Sequence, residues 1–439
     1  MNQGLKLFGK YVSANLLGMI GFSCYILADT FFVARGLGSN GLAALNLGLV
    51  MYTLMTATGQ MIGIGAGTRY GVAKARRDTE EMNRSFTQAV YMVIFASVVF
   101  LSMGIFYSES IVRFLGADED TFHMTNTYLS MIYLFSPAFL WNQVMNCFVR
   151  NDENPGLAMK AMLVGSLVNT MFDYIFIFPL NMGMFGGVLA TCMCPISSLC
   201  VLSIHVIKRK QQFHFCRCMP SFTRVVNICG LGMAAFINDM SSAITMFLFN
   251  WTILGLEGNL GVAAYGVVSN LAYVAVYIFT GIAQGVQPII SDAYGRKDNV
   301  RVKLMYRYAV TLTLIIAVVT YAVIFLFTSP IAGAFNREGD MHLQELAVFG
   351  LKLYFIGFLF GGINIVTSSY FGAIEKVRKS FIVSILRGFV VIVPVLLILA
   401  KFAGMTGVWM TFPCTELLVL AVSVCFMRKE KMTWKGESV

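Results

Sequence analysis

The sequence predicts an all-α polytopic membrane protein whose twelve transmembrane helices form two six-helix bundles. Three observations predict it. Of 439 residues 57% are hydrophobic and only 12% are charged, against about 25% charged in ordinary soluble domains. Apolar stretches of about 20 residues, the length a helix needs to cross a bilayer, recur from end to end. The pattern also repeats. A shift of 220 residues lays Ala43-Ala44 on Ala263-Ala264, Gly65 on Gly285, Arg76-Arg77-Asp78 on Arg296-Lys297-Asp298, Gly187-Val188 on Gly407-Val408, Thr191 on Thr411 and Cys194 on Cys414.

Divided at charged or Gly/Pro-containing breaks, the chain begins with a span near residues 11–34. That run is already as long as a full crossing and no small-residue cleavage site follows, so it reads as a retained helix and not as a cleaved signal. The second, near 42–68, ends in "GIGAGTRYG". No Lys-Ser/Thr follows those glycines, so they read as close helix packing and not as a phosphate loop. Spans near 86–107, 125–149, 157–179 and 185–207 complete the first set. After the sixth comes a basic loop with "HFCRC"; His214, Cys216 and Cys218 lack a fourth ligand and the C-x₂₋₄-C spacing of a zinc site. Spans near 225–250, 262–290, 305–328, 347–373, 380–400 and 405–427 form the second set. None alternates with a period of two, which excludes a β-barrel. Because six is even, both sets insert the same way round. The expected bundles, residues 1–215 and 216–439, are then related by a pseudo-twofold along the membrane normal, with the working cavity between them.

A net charge of +10 would suit nucleic acid if it were clustered on one soluble face. Instead, 26 of the 32 Lys and Arg lie at the termini and in the even loops, whereas the odd loops hold Arg35, Arg113, Arg337 and Lys401. This bias assigns both termini and the even loops to the cytoplasm of a cell-membrane protein. The ten cysteines are scattered, most of them inside spans, and imply no disulfide framework.

Four acids fall well inside spans: Asp29, Asp173, Asp239 and Glu416. The only comparable basic residue is Arg387, which is read as a partner for Glu416 on an adjacent helix. A carboxylate at bilayer depth costs about 2.5–3.5 kcal/mol on insertion scales. In "SLVNTMFDYIFIF", Asn169 and Asp173 stand four residues apart and share a helix face. The repeat places Val393 and Phe389 at those positions, and Asn250 opposite Asp29 after a one-residue gap. The helices are therefore repeated but the acids are not, which favours a specific site in the N-terminal half over a purely structural role.

In their order and spacing, "ADTFFVARGLGSNGLAALNLG", "GAGTRYGVAKARRD", "NCFVRNDENPGLAMKAMLVGSLVNTMFDYIFIF", "GMFGGVLAT" and "GIAQGVQPIISDAYGRKD" resemble the multidrug and toxic compound extrusion (MATE) family over nearly the whole chain. The resemblance implies a V-shaped pair of bundles that exports lipophilic organic cations in exchange for Na⁺ or H⁺ by alternating access, with no cofactor. It also implies N-lobe cation ligands at Asp29, Asn146, Asn169, Asp173 and Thr191. Two departures stand out. Ser13-Ala14 occupy the region of the first helix where many members carry a proline. Of the acids that one branch bears on the seventh and tenth helices, only Asp239 has a counterpart, and the tenth offers Asn364.

The chemistry agrees. Two carboxylates, two amide carbonyls and a hydroxyl supply at least five oxygens for Na⁺, a hard ion, by analogy with other hard cations; a proton needs only a buried carboxyl beside a second acid. Tyr25, one turn before Asp29, together with Asp239 and Asn364, is expected to line the substrate cavity. A lipid-linked oligosaccharide flippase of the same superfamily would be expected to line its cavity with Arg and Lys, not acids. No closely spaced Asp cluster, His-Glu-x-x-His or paired catalytic aspartates indicate an enzyme. The expected partners are small organic cations and the bilayer, without nucleic acid or an obligatory protein.

Overall fold

A computed structural model describes residues 3–335 and 340–436; Arg337, counted above among the odd-loop basic residues, lies outside them. Among the described residues nine stretches are long and apolar enough to cross a membrane. They resolve into twelve helices for local reasons. The stretch Phe222–Gly295 turns at Gly258 and Val377–Glu430 at Gly404. Residues 119–151 contribute one more, interrupted at Phe135 between Glu119–Leu134 and Ser136–Asn151.

In chain order the helices are α1 (Gly4–Gly38), α2 (Asn40–Ala75), α3 (Thr79–Phe106), α4 (119–151), α5 (Pro155–Ile177), α6 (Gly183–Ile207), α7 (222–257), α8 (259–295), α9 (Asn299–Phe335), α10 (Met341–Ala373), α11 (377–403) and α12 (405–436). Several run a turn or more beyond the apolar stretch that predicts them. Hydropathy ends where the hydrocarbon ends, whereas intrahelical hydrogen bonding continues into the polar boundary.

The 220-residue repeat is written in the backbone as well as in residue identities. Gly38 ends α1 at φ 70° and Gly258 ends α7 at φ 62°, a left-handed turn that glycine makes without steric cost. Arg77 and Lys297 both turn at positive φ before the next helix. Asp78 then caps α3 by accepting the Glu81 N–H at 2.9 Å, and Asp298 caps α9 by accepting the Arg301 N–H at 2.9 Å. The interruption of α4 at Phe135 recurs as a 3₁₀ turn in α10, Phe355–Gly357.

By packing, the chain divides into one unit of Met1–Asp239 and another of Met240–Val439. The first therefore contains the opening half of α7 in addition to α1–α6. Gly65 and Gly232 account for this: each backbone lies so close to the other helix, at the Ile228 and Met61 carbonyls, that neither glycine has room for a Cβ. The first unit is centred on the rings of Tyr70, Phe86, Phe148 and Phe213, and the Phe86 and Phe213 centroids are 4.7 Å apart. The second packs Tyr354 flat on Phe412 at 4.6 Å, beside Phe358.

The basic loop between α6 and α7 is an extended strap along α3. The His214 N–H donates to Asn83 Oδ1 (2.8 Å) and the Cys216 N–H to Thr87 Oγ1 (3.0 Å). Gln88 Nε2 donates to the Met219 carbonyl and the Tyr91 hydroxyl to the Cys218 carbonyl, both at 3.0 Å. The "HFCRC" residues are thus held by one helix through their backbone.

Candidate cation site

Small residues bring α1 onto α5. Gly18 and Gly21 sit against Met162 and Leu163, and Gly36 sits against Ile177. Asp29 lies between these contacts on α1, and Asp173 lies between them on α5. On the other side of α5, Gly165 meets the Cys194 carbonyl of α6. Absent side chains are what permit helix axes to approach this closely.

The result is a pair of neighbouring carboxyl groups. Asp29 and Asp173 interact directly through their side chains. Asp173 and Asn169 are wholly buried and Asp29 is 8% exposed. As two carboxylates the acids have no hydrogen to give each other, and neither oxygen of Asp173 nor either polar atom of Asn169 has a hydrogen-bond partner among the described residues. Among the described residues no Lys, Arg or His forms an ion pair with either acid. Tyr52, Tyr128 and Cys194 lie within electrostatic range of one or both. Buried charge of one sign without a partner is strongly unfavourable, so the arrangement calls for a positive species, a proton or a small cation.

The other expected ligands are buried in the same unit. Asn146 is 8% and Thr191 4% exposed. The Thr191 hydroxyl donates to the Gly187 carbonyl of its own helix at 3.1 Å, and neither residue is hydrogen-bonded to the acid pair. Among the described residues no group of three His, Cys, Asp or Glu is gathered as for a transition metal; the donors here are carboxylate, amide and hydroxyl oxygens.

Tyr25 is buried, with its hydroxyl 3.2 Å from that of Tyr52, and so belongs to the aromatic wall near Asp29. Asp239 is half-buried on α7 at the end of the first unit. Asn364 is wholly buried in the second unit, where its Nδ2 donates to the Glu416 carboxylate (2.8 Å) and the Glu416 carbonyl (2.9 Å) while its Oδ1 accepts from Ser423 (3.0 Å). Both ends of its amide are engaged within that unit. Arg387 Nε donates to Glu416, which is the pairing expected from sequence. Arg387 sits in a π turn, Leu386–Val390, a feature that recurs at functional sites. The second unit's embedded acid is neutralised; the first unit's pair is not.

Sequence reasoning missed a second buried cluster. Asp152, in the α4–α5 turn, accepts from Tyr70 (2.6 Å), Lys74 (3.2 Å), His205 Nε2 (2.9 Å) and the Gln212 N–H (3.0 Å). Burial opposes its charge, but these donors outweigh it and hold the carboxyl below its usual range. In "NDENP" Asp152 looks like an ordinary solvated turn acid, and nothing local marks its partners, which come from α2, α6 and the strap.

The MatE family profile matches residues 15–175 and again 234–398, once for each half of the repeat. "Multidrug export protein MepA" of Staphylococcus saprophyticus is 24% identical over 422 residues, spanning 95% of this chain and 92% of the relative. The protein of the same description from Staphylococcus aureus (strain MRSA252) is 25% identical over 423 residues, with the same coverage. Among solved structures, a crystal structure of a MATE protein in complex with MaL6 superposes with a TM-score of 0.92 at 23% identity, covering 99% of this chain and 97% of that one. That likeness is one of fold.

Proposed function

The chain belongs to the MatE family, and from that premise we propose that it is a secondary active antiporter of the cell membrane, which exports lipophilic organic cations, drugs and dyes among them, in exchange for Na⁺ or H⁺. The observation that carries the coupling is the buried Asp29–Asp173 pair, in which neither Asp173 oxygen has a hydrogen-bond partner and neither acid is in an ion pair among the described residues. Asn169 on the same face of α5, with Asn146 and Thr191 from α4 and α6, would complete the oxygen set. Relatives described as multidrug export proteins support the export of small molecules, and Tyr25 and Asp239 suit a cationic aromatic substrate. The N-terminal bundle then holds the coupling site. The second bundle, whose Glu416 is neutralised by Arg387, holds none.

In this mechanism the acid pair changes partner. With a cation between them, Asp29 and Asp173 attract it and α1 is drawn to α5; without one they repel. Cation binding biases the bundle by its differential affinity for the two arrangements and no further. A membrane potential adds about 2.3 kcal/mol per charge per 100 mV to the inward step. Dye efflux measured in everted vesicles, with ΔpH and ΔNa⁺ imposed separately, tests the reading. One gradient is expected to drive accumulation of a cationic dye and to leave anionic dyes untouched. Accumulation driven by neither gradient, or transport of anions only, would refute it.

The proposed orientation has both termini in the cytoplasm. Asp78→Cys and Asp298→Cys, in a background with the native cysteines replaced, are expected to react with an impermeant thiol reagent only from the cytoplasmic face, and Asp118→Cys only from outside. Labelling of positions 78 and 298 from opposite faces would end the parallel-repeat topology.

A further inference from the structure

A cavity of about 480 Å³ opens at the strap end of α3, α4 and α6, away from the acid pair, between Phe86, Trp141, Leu202, Val206, Phe213 and Phe215. It falls within the range of sites that enclose a drug-sized apolar group, about 300–1,000 Å³. Its walls are aromatic and aliphatic, and its rim is polar, with Ser203, Gln211 and His214. It is preformed, because the strap that roofs it is pinned to α3 by backbone hydrogen bonds and to Asp152 through Gln212.

The rim is also positively charged. Lys208, Arg209 and Lys210 lie in the four-residue stretch between lining residues Val206 and Gln211, all three are exposed, and none is in an ion pair among the described residues. From Tyr174 to Asn238 the sequence contains no acid. The same segment exposes large apolar side chains, with Ile207 74%, Phe222 82% and Met219 90% accessible. Basic and apolar groups side by side at a helix end describe a segment at the bilayer boundary, where anionic headgroups gather.

We infer that this cavity and its basic rim form a binding site for an anionic phospholipid, which places an acyl chain among Trp141, Phe86 and Phe213 and its phosphate against Lys208, Arg209 and Lys210. The site requires only that the chain spans a membrane, so it stands or falls apart from the antiport reading.

Trp141 is its reporter. In the full-length protein, reconstituted in phosphatidylcholine, phosphatidylglycerol brominated on its acyl chains is expected to quench Trp141 emission, taken as the difference from Trp141→Phe, at mole fractions where brominated phosphatidylcholine quenches little. The triple variant Lys208→Gln, Arg209→Gln, Lys210→Gln changes only exposed side chains and should lower that preference by about tenfold or more. Ser203→Phe should abolish quenching by filling the chain's place. Millimolar inorganic phosphate should leave quenching unchanged, since the headgroup alone does not hold the site. Equal quenching by both lipids, an unchanged preference in the triple variant, persistent quenching in Ser203→Phe, or quenching by a cationic dye with none by either lipid would each overturn the inference.

Discussion

Asp29→Asn and Asp173→Asn proteins are each expected to reach the membrane folded and to lose uphill export down to the level of cells lacking the protein. Each change keeps the side-chain shape while removing a charge whose burial costs free energy, and neither acid takes part in an ion pair that the change would break among the described residues. Thermal stability in detergent should therefore hold or rise. What disappears is the differential attraction for a cation, the only lever by which the gradient can move the bundle. Asp173→Asn should still bind a cationic dye but should no longer release it on addition of Na⁺ or acid. The repeat supplies controls, because Val393→Ile and Asn250→Ala, at the positions answering Asp173 and Asp29, should be much milder. Cation-triggered dye release at near wild-type strength in Asp173→Asn would remove the N-terminal pair from the coupling role and turn attention to Asp239.

The second large effect is on folding. Glu416→Gln would take away the carboxylate that pairs with Arg387, whose side chain is 13% exposed. Breaking one side of a buried pair costs about 3–5 kcal/mol, because the remaining charge stays buried without a counterpart. That is comparable to the whole margin of stability of many domains. Glu416→Gln and Arg387→Met are thus each expected to give little folded protein. The double variant, which buries no net charge, should recover most of the yield and thermal midpoint. Single variants as stable as the parent would show that Arg387 reaches the membrane boundary unaided. The contrast with Asp173→Asn is the point: removing an acid from the first unit should relieve a cost, and removing one from the second should create one.

Much of the architecture was legible beforehand. A bilayer interior offers no water to backbone N–H and C=O groups, so each crossing must be a helix that satisfies them internally, and its length and apolarity show in the sequence. The 220-residue offset survives because turns such as those at Gly38 and Gly258 require a left-handed backbone. The acids at depth were conspicuous for the same reason, and Asn169 and Asp173 share a helix face whatever packs against it.

Partnership between helices was not legible in this way. Asp239 and Asn364 looked alike as candidates for the cavity, yet Asn364 spends both ends of its amide on Glu416 and Ser423. Asp152 passed for a solvated turn residue, and packing made it the acceptor for Tyr70, Lys74 and His205. The sequence by itself determined where helices run and which buried positions carry charge, since those depend on local chain chemistry and on the bilayer as solvent. Only the tertiary structure decided which charges find a partner: α1 and α5 set Asp29 beside Asp173 with no Lys, Arg or His paired to either among the described residues, while α11 and α12 set Arg387 against Glu416. Such encounters join residues far apart in the chain through the close approach of small side chains, and no local pattern records them.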